Sequence, residues 1–439
     1  MAEIGDAPLT SAFKRRAPVM PFRGAVPIPE SDTPWGIKDL MSRPRAAPTV
    51  AYIHIPFCHN HCLFCGFYQN PWESSRSAPF VDILIEEIRQ SARRELVAQG
   101  PAIEAVYFGG GTPTALAASD LARLLRTLRS ELPLADDCEI TLEGRVHDFG
   151  IDKAQAAVDA GVNRISLGVQ SFDTLVRRRL GRKTAAEPLI GAVADLAALP
   201  DVAVVIDLMY GLPGQDDAAW LRDLEIASNL ELDGLDVYAL SVWPKGPLAQ
   251  AIAAGKALPL PELSDQARAY AQAGEWLARL GWRKLSHAHF GRTKLERNIY
   301  NRSVKEGAIC LAFGPGAGGY AHGYRWRNTT DLALWENLVA DGQPTMTALL
   351  RVAKSHDAQT RVVAGLESGT LDCRLVDEVA PGFSEAAQPL LSNWCRAGLA
   401  DFHSGILTLT HAGWFWMTTL TAGLHTVLDM MDQRMEARA

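Results

Sequence analysis

Three cysteines, Cys58, Cys62 and Cys65, fall within eight residues of a 439-residue chain that holds only seven. They sit in "HIPFCHNHCLFCGFYQN", a C-x3-C-x2-C triplet with no fourth cysteine nearby. An odd number of thiols suits no disulfide framework, and in a reducing compartment clustered cysteines point to a metal or to catalysis. A closed zinc site takes four ligands. His59 and His61 are at hand, but five donors would crowd one short loop. A ferredoxin-type cluster takes the run C-x2-C-x2-C-x3-C, which the chain does not supply. A [4Fe–4S] cluster held by three thiolates would leave one iron open, so the missing ligand is itself the functional feature. Zinc and incidental cysteines are the alternatives. Cys138, Cys310, Cys373 and Cys395 are scattered and read as ordinary core or surface residues.

Other polar groups recur in one kind of place. "GGGTPT", Glu143, Gln170 and Asp207 each fall at or near the C-terminal end of an expected strand. Glycines at 109–111 let the backbone approach a ligand closely. The run lacks the Gly-Lys-Ser/Thr of a phosphate loop. Glu143 and Asp207 can accept from hydroxyls or an amino group, or can form a salt bridge across the mouth. Arg182, in the basic run "VRRRLGRK", can pair with a carboxylate or stay solvated at the surface.

The elements that must hold these groups follow from alternation of apolar runs and amphipathic stretches. Strands are expected in "VAYIHI", "IEAVYF", "CEITLE", "NRISLGVQS", "VAVVIDLMYGL" and "LDVYALSV", with helices between them. Such alternation implies βαβ units around a parallel sheet, with the chemistry on the rim at the strands' C-terminal ends. Six units are too few for a closed barrel. The fold class is α/β, a partial (β/α)6 TIM-like barrel with an N-terminal arm and a smaller, mostly helical, winged-helix-like C-terminal domain. The expected divisions are an irregular arm over 1–48, a barrel over 49–245, a barrel extension and substrate-covering segment over 246–330, and the C-terminal domain over 331–439. The 48% hydrophobic content allows a substantial core, and the net charge of −7 argues against a nucleic-acid partner. No apolar run approaches the roughly 20 residues of a membrane span, and the N-terminus lacks a secretory h-region, so a cytoplasmic location without membrane attachment is expected.

With these motifs in view the chain resembles the radical S-adenosylmethionine (SAM) enzymes, in which the cysteine loop follows the first barrel strand. "YIHIPFCHNHCLFCGF", "GGGTPT", "SLGVQSF" and "DLMYGLPGQ" stand in that family's order from about Tyr52 through Gln215, and the likeness continues more loosely beyond. The resemblance implies that Cys58, Cys62 and Cys65 hold a [4Fe–4S] cluster whose open iron is chelated by SAM, cleaved on reduction to a 5′-deoxyadenosyl radical. It further implies SAM contacts at Tyr52, Phe64, Gly110, Gly111, Thr112, Glu143, Gln170, Arg182 and Asp207, in a branch that can hold two SAM molecules.

That branch includes the oxygen-independent coproporphyrinogen dehydrogenases and their haem-chaperone relatives. Phe67 stands where those dehydrogenases carry a further cysteine, which disfavours porphyrinogen decarboxylation. "CGFYQNPW", "LEGR", "ERNIYNR" and "FGPGAGG" are most similar to the anaerobic haem-degrading members. For that group the resemblance implies opening of haem without oxygen, transfer of a SAM-derived methyl carbon, a linear tetrapyrrole and released iron. The electron would come from a flavodoxin-like or NADPH-dependent donor. A haem chaperone, or a methyltransferase on another heteroaromatic substrate, is the alternative. Candidate haem contacts are His287 and His289, expected on one face of a strand in "SHAHF", and Arg145 and Arg292 for the propionates. His322 and His147 are weaker candidates, and "WFW" at 414–416 reads as core.

Overall fold

The computed structural model describes residues 1–436. Seven strands run parallel in one open sheet: β1 (Thr49–Ile55), β2 (Ile103–Gly110), β3 (Leu134–Gly144), β4 (Arg164–Gln170), β5 (Ala203–Tyr210), β6 (Gly234–Ala239) and β7 (Ile309–Phe313). β1 to β6 pair in chain order, with helices such as Ser77–Ala92, Ala118–Glu131 and Asp217–Asn229 between them. Six of the strands are those expected from the sequence. β7 is the addition: it pairs parallel with β1, Ala312 opposite Tyr52, on the side away from β2. Antiparallel pieces extend both edges. Gly318–Ala321, Tyr324–Asn328, Met346–Arg351 and Val26–Pro27 follow β7, while His289–Gly291 and Arg283–Lys284 follow β6.

The strands form because both faces of the sheet are covered. Every residue of β1 except Tyr52 is buried, the near-continuous pattern a doubly covered parallel strand requires. On the helix side, Leu121, Leu124, Leu125 and Leu128 of Ala118–Glu131 recur at helical spacing and are buried. On the inner side the period of two takes over. Along β3, Ile140 and Leu142 join the outer core while Glu139 and Glu143 face the interior.

Polar side chains fill the floor of that interior. Arg164 pairs with Glu296 at 3.0 Å, and the two nitrogens of His289 lie 2.9 Å from Glu296 and 2.9 Å from Asp236. Burial works against charging Glu296, yet Arg164 and His289 hold its carboxyl down at about 2. Burial likewise opposes charge on His289, but Asp236 and Glu296 lift it to about 9. The backbone N–H groups of Ile299 and Tyr300 donate to Glu139. The rings of Tyr52, Tyr107 and Tyr300 pack together close by.

The N-terminal arm differs from the irregular lead-in expected. It carries a helix, Thr33–Met41, and an edge strand on Met346–Arg351. Its first residues dock on the C-terminal elements: the Ala2 N–H donates to Asn393, and the Trp416 indole donates to the Pro8 carbonyl. Prolines and glycines hide any period there, and the order comes from tertiary contacts that local pattern does not encode. The C-terminal region has helices His356–Glu367, Cys373–Asp377 and Phe383–Arg396, the hairpin Ala400–His403 with Ile406–Leu409, and the long helix His411–Glu436. Thr370–Asp372 adds a third small strand to the hairpin. Phe415 and Trp416 are buried, as core reading of "WFW" requires, whereas Trp414 is only partly so. Among the described residues no helix is long and apolar enough to cross a membrane.

Candidate active site

β1 ends at Ile55, and the loop that follows lays the three thiols across the top of the sheet. Cys58 and Cys62 are buried and Cys65 is half-buried. Each sulfur has a polar neighbour. The Thr112 hydroxyl lies 3.3 Å from Cys58, which Arg145 also approaches at 3.8 Å. The Asn60 amide donates to Cys62 at 3.9 Å, and the Phe67 N–H donates to Cys65 at 3.3 Å. Burial pushes the Cys58 thiol up, with Thr112 and Arg145 pulling the other way. Backbone bonds from Leu63 to Leu180 and from Gly111 to Ile55 pin the loop. Among the described residues no three His, Cys, Asp or Glu side chains are gathered to hold a single metal ion.

The glycines of "GGGTPT" have a second reason beyond access to a ligand. A Cβ on Gly110, where φ is +106°, would lie 2.5 Å from the His54 ring, and one on Gly111 would lie 2.4 Å from the Phe57 carbonyl oxygen. The end of β2 is thus packed directly under the cysteine loop.

Above these glycines lies a cavity of about 210 Å³. It gathers Cys62, Phe64, Cys65, Gly110, Gly111, Glu143, Gln170, Arg182 and Asp207 from the ends of five strands, and Arg145 with them. Cys58 and Thr112 lie just below, tied to each other. Tyr52 sits one layer down, its hydroxyl 3.1 Å from His54 Nδ1. Phe67, noted in the sequence only as standing in place of a cysteine, completes the wall with Gly144, Gly168, Met209 and Tyr238, which the sequence reading did not assign to the site. Strand alternation carries that signal: Met209 is two residues from Asp207 and pairs in register with Tyr238.

The cavity's charges are poorly matched within the protein. Burial raises the Glu143 carboxyl to about 7, against the pull of Arg145 and Arg182. Burial raises Asp207 well above the carboxylate range, and Asp236 and Glu143 add to it. Arg182 donates to the Gly168 carbonyl at 3.0 Å, but its Nε and the Gln170 Oε1 are buried without a partner. Gln170 also has φ +67°, a left-handed conformation that costs a non-glycine residue free energy. Buried polar atoms without partners are rare in folded proteins and expensive. A guanidinium, two carboxylates and an amide around exposed backbone fit a small zwitterion with hydroxyl groups, and three thiols beside them fit a thiolate-held cluster. The residues present therefore match a [4Fe–4S] cluster with SAM.

The haem candidates fare differently. His289 is 1% exposed, and both its nitrogens are taken by carboxylates, so no nitrogen is left for an axial bond. His287 does not share a strand face with it. Residues 286–288 form a bend between two short strands, and the His287 ring lies 3.1 Å from Arg16 and 3.4 Å from the Tyr270 hydroxyl. Arg292 donates to the Leu230 carbonyl at the end of helix Asp217–Asn229 and bonds Asp233 just before β6, at the end of the strands opposite the cavity. Arg145 alone of the four lines the thiol cavity, where it also donates to Asn60 at 3.2 Å. His147 packs edge-on against His59, 5.8 Å between ring centres. His322 takes φ +51° in the turn between Gly318–Ala321 and Tyr324–Asn328.

Comparison with known proteins agrees with this geometry. The profile of the Radical SAM superfamily matches residues 52–227. The chain is 42% identical to anaerobilin synthase of Escherichia coli O157:H7 over 431 residues, 98% of this chain and 94% of that protein. It is 26% identical to the haem chaperone HemW of Bacillus subtilis, over 83% of this chain and 95% of that one. In fold it is similar to Escherichia coli coproporphyrinogen III oxidase (HemN), with a TM-score of 0.79 and 20% identity over 96% of this chain and 99% of that one. On the thiol loop, the polar cavity above it and a likeness that runs the length of the chain, this protein belongs to the radical SAM superfamily, whose members use a [4Fe–4S] cluster and SAM, in the branch that contains anaerobilin synthase.

Proposed function

We propose that the chain opens the haem macrocycle without oxygen, adds a SAM-derived methyl carbon to it and releases iron with a linear tetrapyrrole. The observation that carries this reading is the 42% identity to anaerobilin synthase along 98% of the chain, against 26% to a haem chaperone. The reading places the reaction in the cytoplasm, uses two SAM molecules and takes its electron from a flavodoxin-like or NADPH-dependent donor. It also divides the chain at 48/49, 245/246 and 330/331 into arm, barrel, covering segment and C-terminal domain.

Cys58, Cys62 and Cys65, as thiolates, would hold the cluster. Bound there, the cluster and SAM supply a carbon-centred radical and a methyl carbon. Thr112, Asn60, Arg145 and the Phe67 N–H donate towards the sulfurs and so stabilise their negative charge. Arg182 would face a carboxylate, the buried Nε its free donor. Glu143, Asp207 and Gln170 would accept from ammonium and hydroxyl groups, and the Gly110–Gly111 backbone forms the floor. Tyr52 supports that floor through His54.

The test is anaerobic. Protein reconstituted with iron and sulfide is given haem, SAM and a strong one-electron reductant, and the Soret band is followed with product masses. Loss of the band, with 5′-deoxyadenosine, S-adenosylhomocysteine and a tetrapyrrole heavier by one methyl-derived carbon, is the expected outcome. A Soret band that shifts on binding and then persists would sink the enzymatic reading in favour of the chaperone.

A further inference from the structure

The thiol cavity has an apolar neighbour. A hollow of about 180 Å³, with Leu63, Tyr68, Val242 and Leu248 in its wall, shares Phe64 and Cys65 with the cavity over the glycines. On the lip where the two meet stand two large aromatic side chains in solvent, Phe67 from the wall of the thiol cavity at 68% exposure and Trp243 from the wall of the hollow at 58%. Both are tied to the thiol loop. The Phe67 N–H is bonded to the Cys65 sulfur. The Trp243 indole rests on Gly66, where a Cβ would lie 2.6 Å from its Nε1, and the turn after it is closed by the Gly246 N–H on the Trp243 carbonyl at 2.9 Å. Single exposed aromatics are ordinary on a surface. Two whose backbone or ring is anchored at the thiol loop, one in the wall of the thiol cavity and one in the wall of the hollow that joins it, mark a binding surface.

We propose that the haem macrocycle lies on this lip, against Phe67 and Trp243, with Lys245 of the same exposed turn supplying a cation for a propionate. The inference rests on the haem reading given above and deepens it. Size separates the two ligands. The thiol cavity, at about 210 Å³, is below the roughly 300 to 1,000 Å³ of pockets that enclose a drug-sized molecule, so a macrocycle needs a further surface continuous with it. Chemistry separates them too. The cavity's arginines and carboxylates suit a zwitterion, whereas the lip's aromatic faces suit a flat apolar ring. The segment Cys65–Gly66–Phe67 is the border, so a ring on the lip presents its edge towards the thiols.

The variants are Phe67→Ala with Trp243→Ala, Trp243→Ala alone, Trp243→Phe, and Lys245→Ala, each as reconstituted full-length protein. Alanine at 67 keeps the N–H that donates to Cys65. Haem is titrated by its Soret shift, and iron content and SAM binding are measured on the same samples. The double alanine variant should bind haem at least tenfold more weakly, since stacking on two rings is worth about that much, and Trp243→Ala alone, outside the thiol cavity, should bind haem at least about threefold more weakly with iron and SAM binding unchanged. Trp243→Phe should stay within about threefold of wild type, and Lys245→Ala should lose more affinity at low salt than at high salt. Equal haem affinity in wild type and the double variant would overturn the lip alone. Absence of haem binding by the wild type would overturn the haem reading itself.

Discussion

The floor and the mouth of this barrel present the same kinds of side chain, arginine, glutamate and aspartate, to the same interior, and the protein treats them in opposite ways. On the floor, Arg164, Glu296, His289 and Asp236 are packed within 3.0 Å of one another and almost wholly buried. At the mouth, Arg182 and Gln170 keep buried polar atoms without partners, and Glu143 and Asp207 are held away from their ordinary carboxylate ranges mainly by burial. The floor too keeps a buried Arg164 nitrogen without a hydrogen bond, but its charges stand in ion pairs, whereas no ion pair among the described residues joins Arg182 to Glu143 or Asp207. What separates structure from function here is therefore ion pairing, not residue type.

The largest expected effect breaks the mouth alone. Cys62→Ser should abolish iron incorporation and haem turnover, while the unfolding free energy of the cluster-free protein shifts by no more than roughly 1 kcal/mol. Iron retained at wild-type level would remove Cys62 from the proposed ligand set. Breaking the floor should do the reverse. Glu296→Gln leaves Arg164 and His289 with an uncompensated contact, so denaturant unfolding should show a loss of roughly 3–5 kcal/mol.

The floor also predicts a pH window. Glu296 is depressed from 4.5 to about 2, so its stabilisation is present above about pH 4.5 and fades as pH falls through 2. His289 is raised from 6.5 to about 9, so its contribution is complete below about pH 6.5 and fades as pH rises through 9. The stability gap between wild type and Glu296→Gln should therefore be widest between about pH 4.5 and 6.5; a gap that stays constant from acid to alkali would contradict the network. At the mouth, Asp207→Asn should weaken SAM binding by about 1–3 kcal/mol, read by calorimetry, with little change in unfolding. The smallest effect belongs to Arg292→Ala. It should cost about 0.5–1.5 kcal/mol of stability for its bond to Leu230 and leave haem affinity where it was.

The cysteine triplet, the glycine run and the six consecutive strands were legible because each is a local pattern: fixed spacing, a tight turn, a short apolar run. Ile309–Phe313 escaped because "ICLAF" is five residues long beside a glycine-rich stretch, and its partner is β1, more than 250 residues earlier. His289 was misjudged for a related reason. Its neighbours in sequence are uninformative, and the carboxylates that occupy it come from β6 and from the segment after the hairpin. Arg292 and Arg145 look alike in the sequence, and only the antiparallel run of His289–Gly291 along β6 carries Arg292 to the far end of the strands, while Arg145 follows β3 at the mouth. Tyr238 was within reach, since alternation along β6 puts it on the face of Asp236.

The docking of the arm has a consequence for how the chain is made. The Ala2 backbone bonds to Asn393 at both its N–H and its carbonyl, across 391 positions of sequence. At a ribosomal speed of about 5 to 20 residues per second, the arm waits roughly 20 to 80 seconds for the surface that receives it. The barrel strands can pair during that interval, so a segment translated before the barrel settles after it. Threading the arm into place then becomes the closing step of biogenesis.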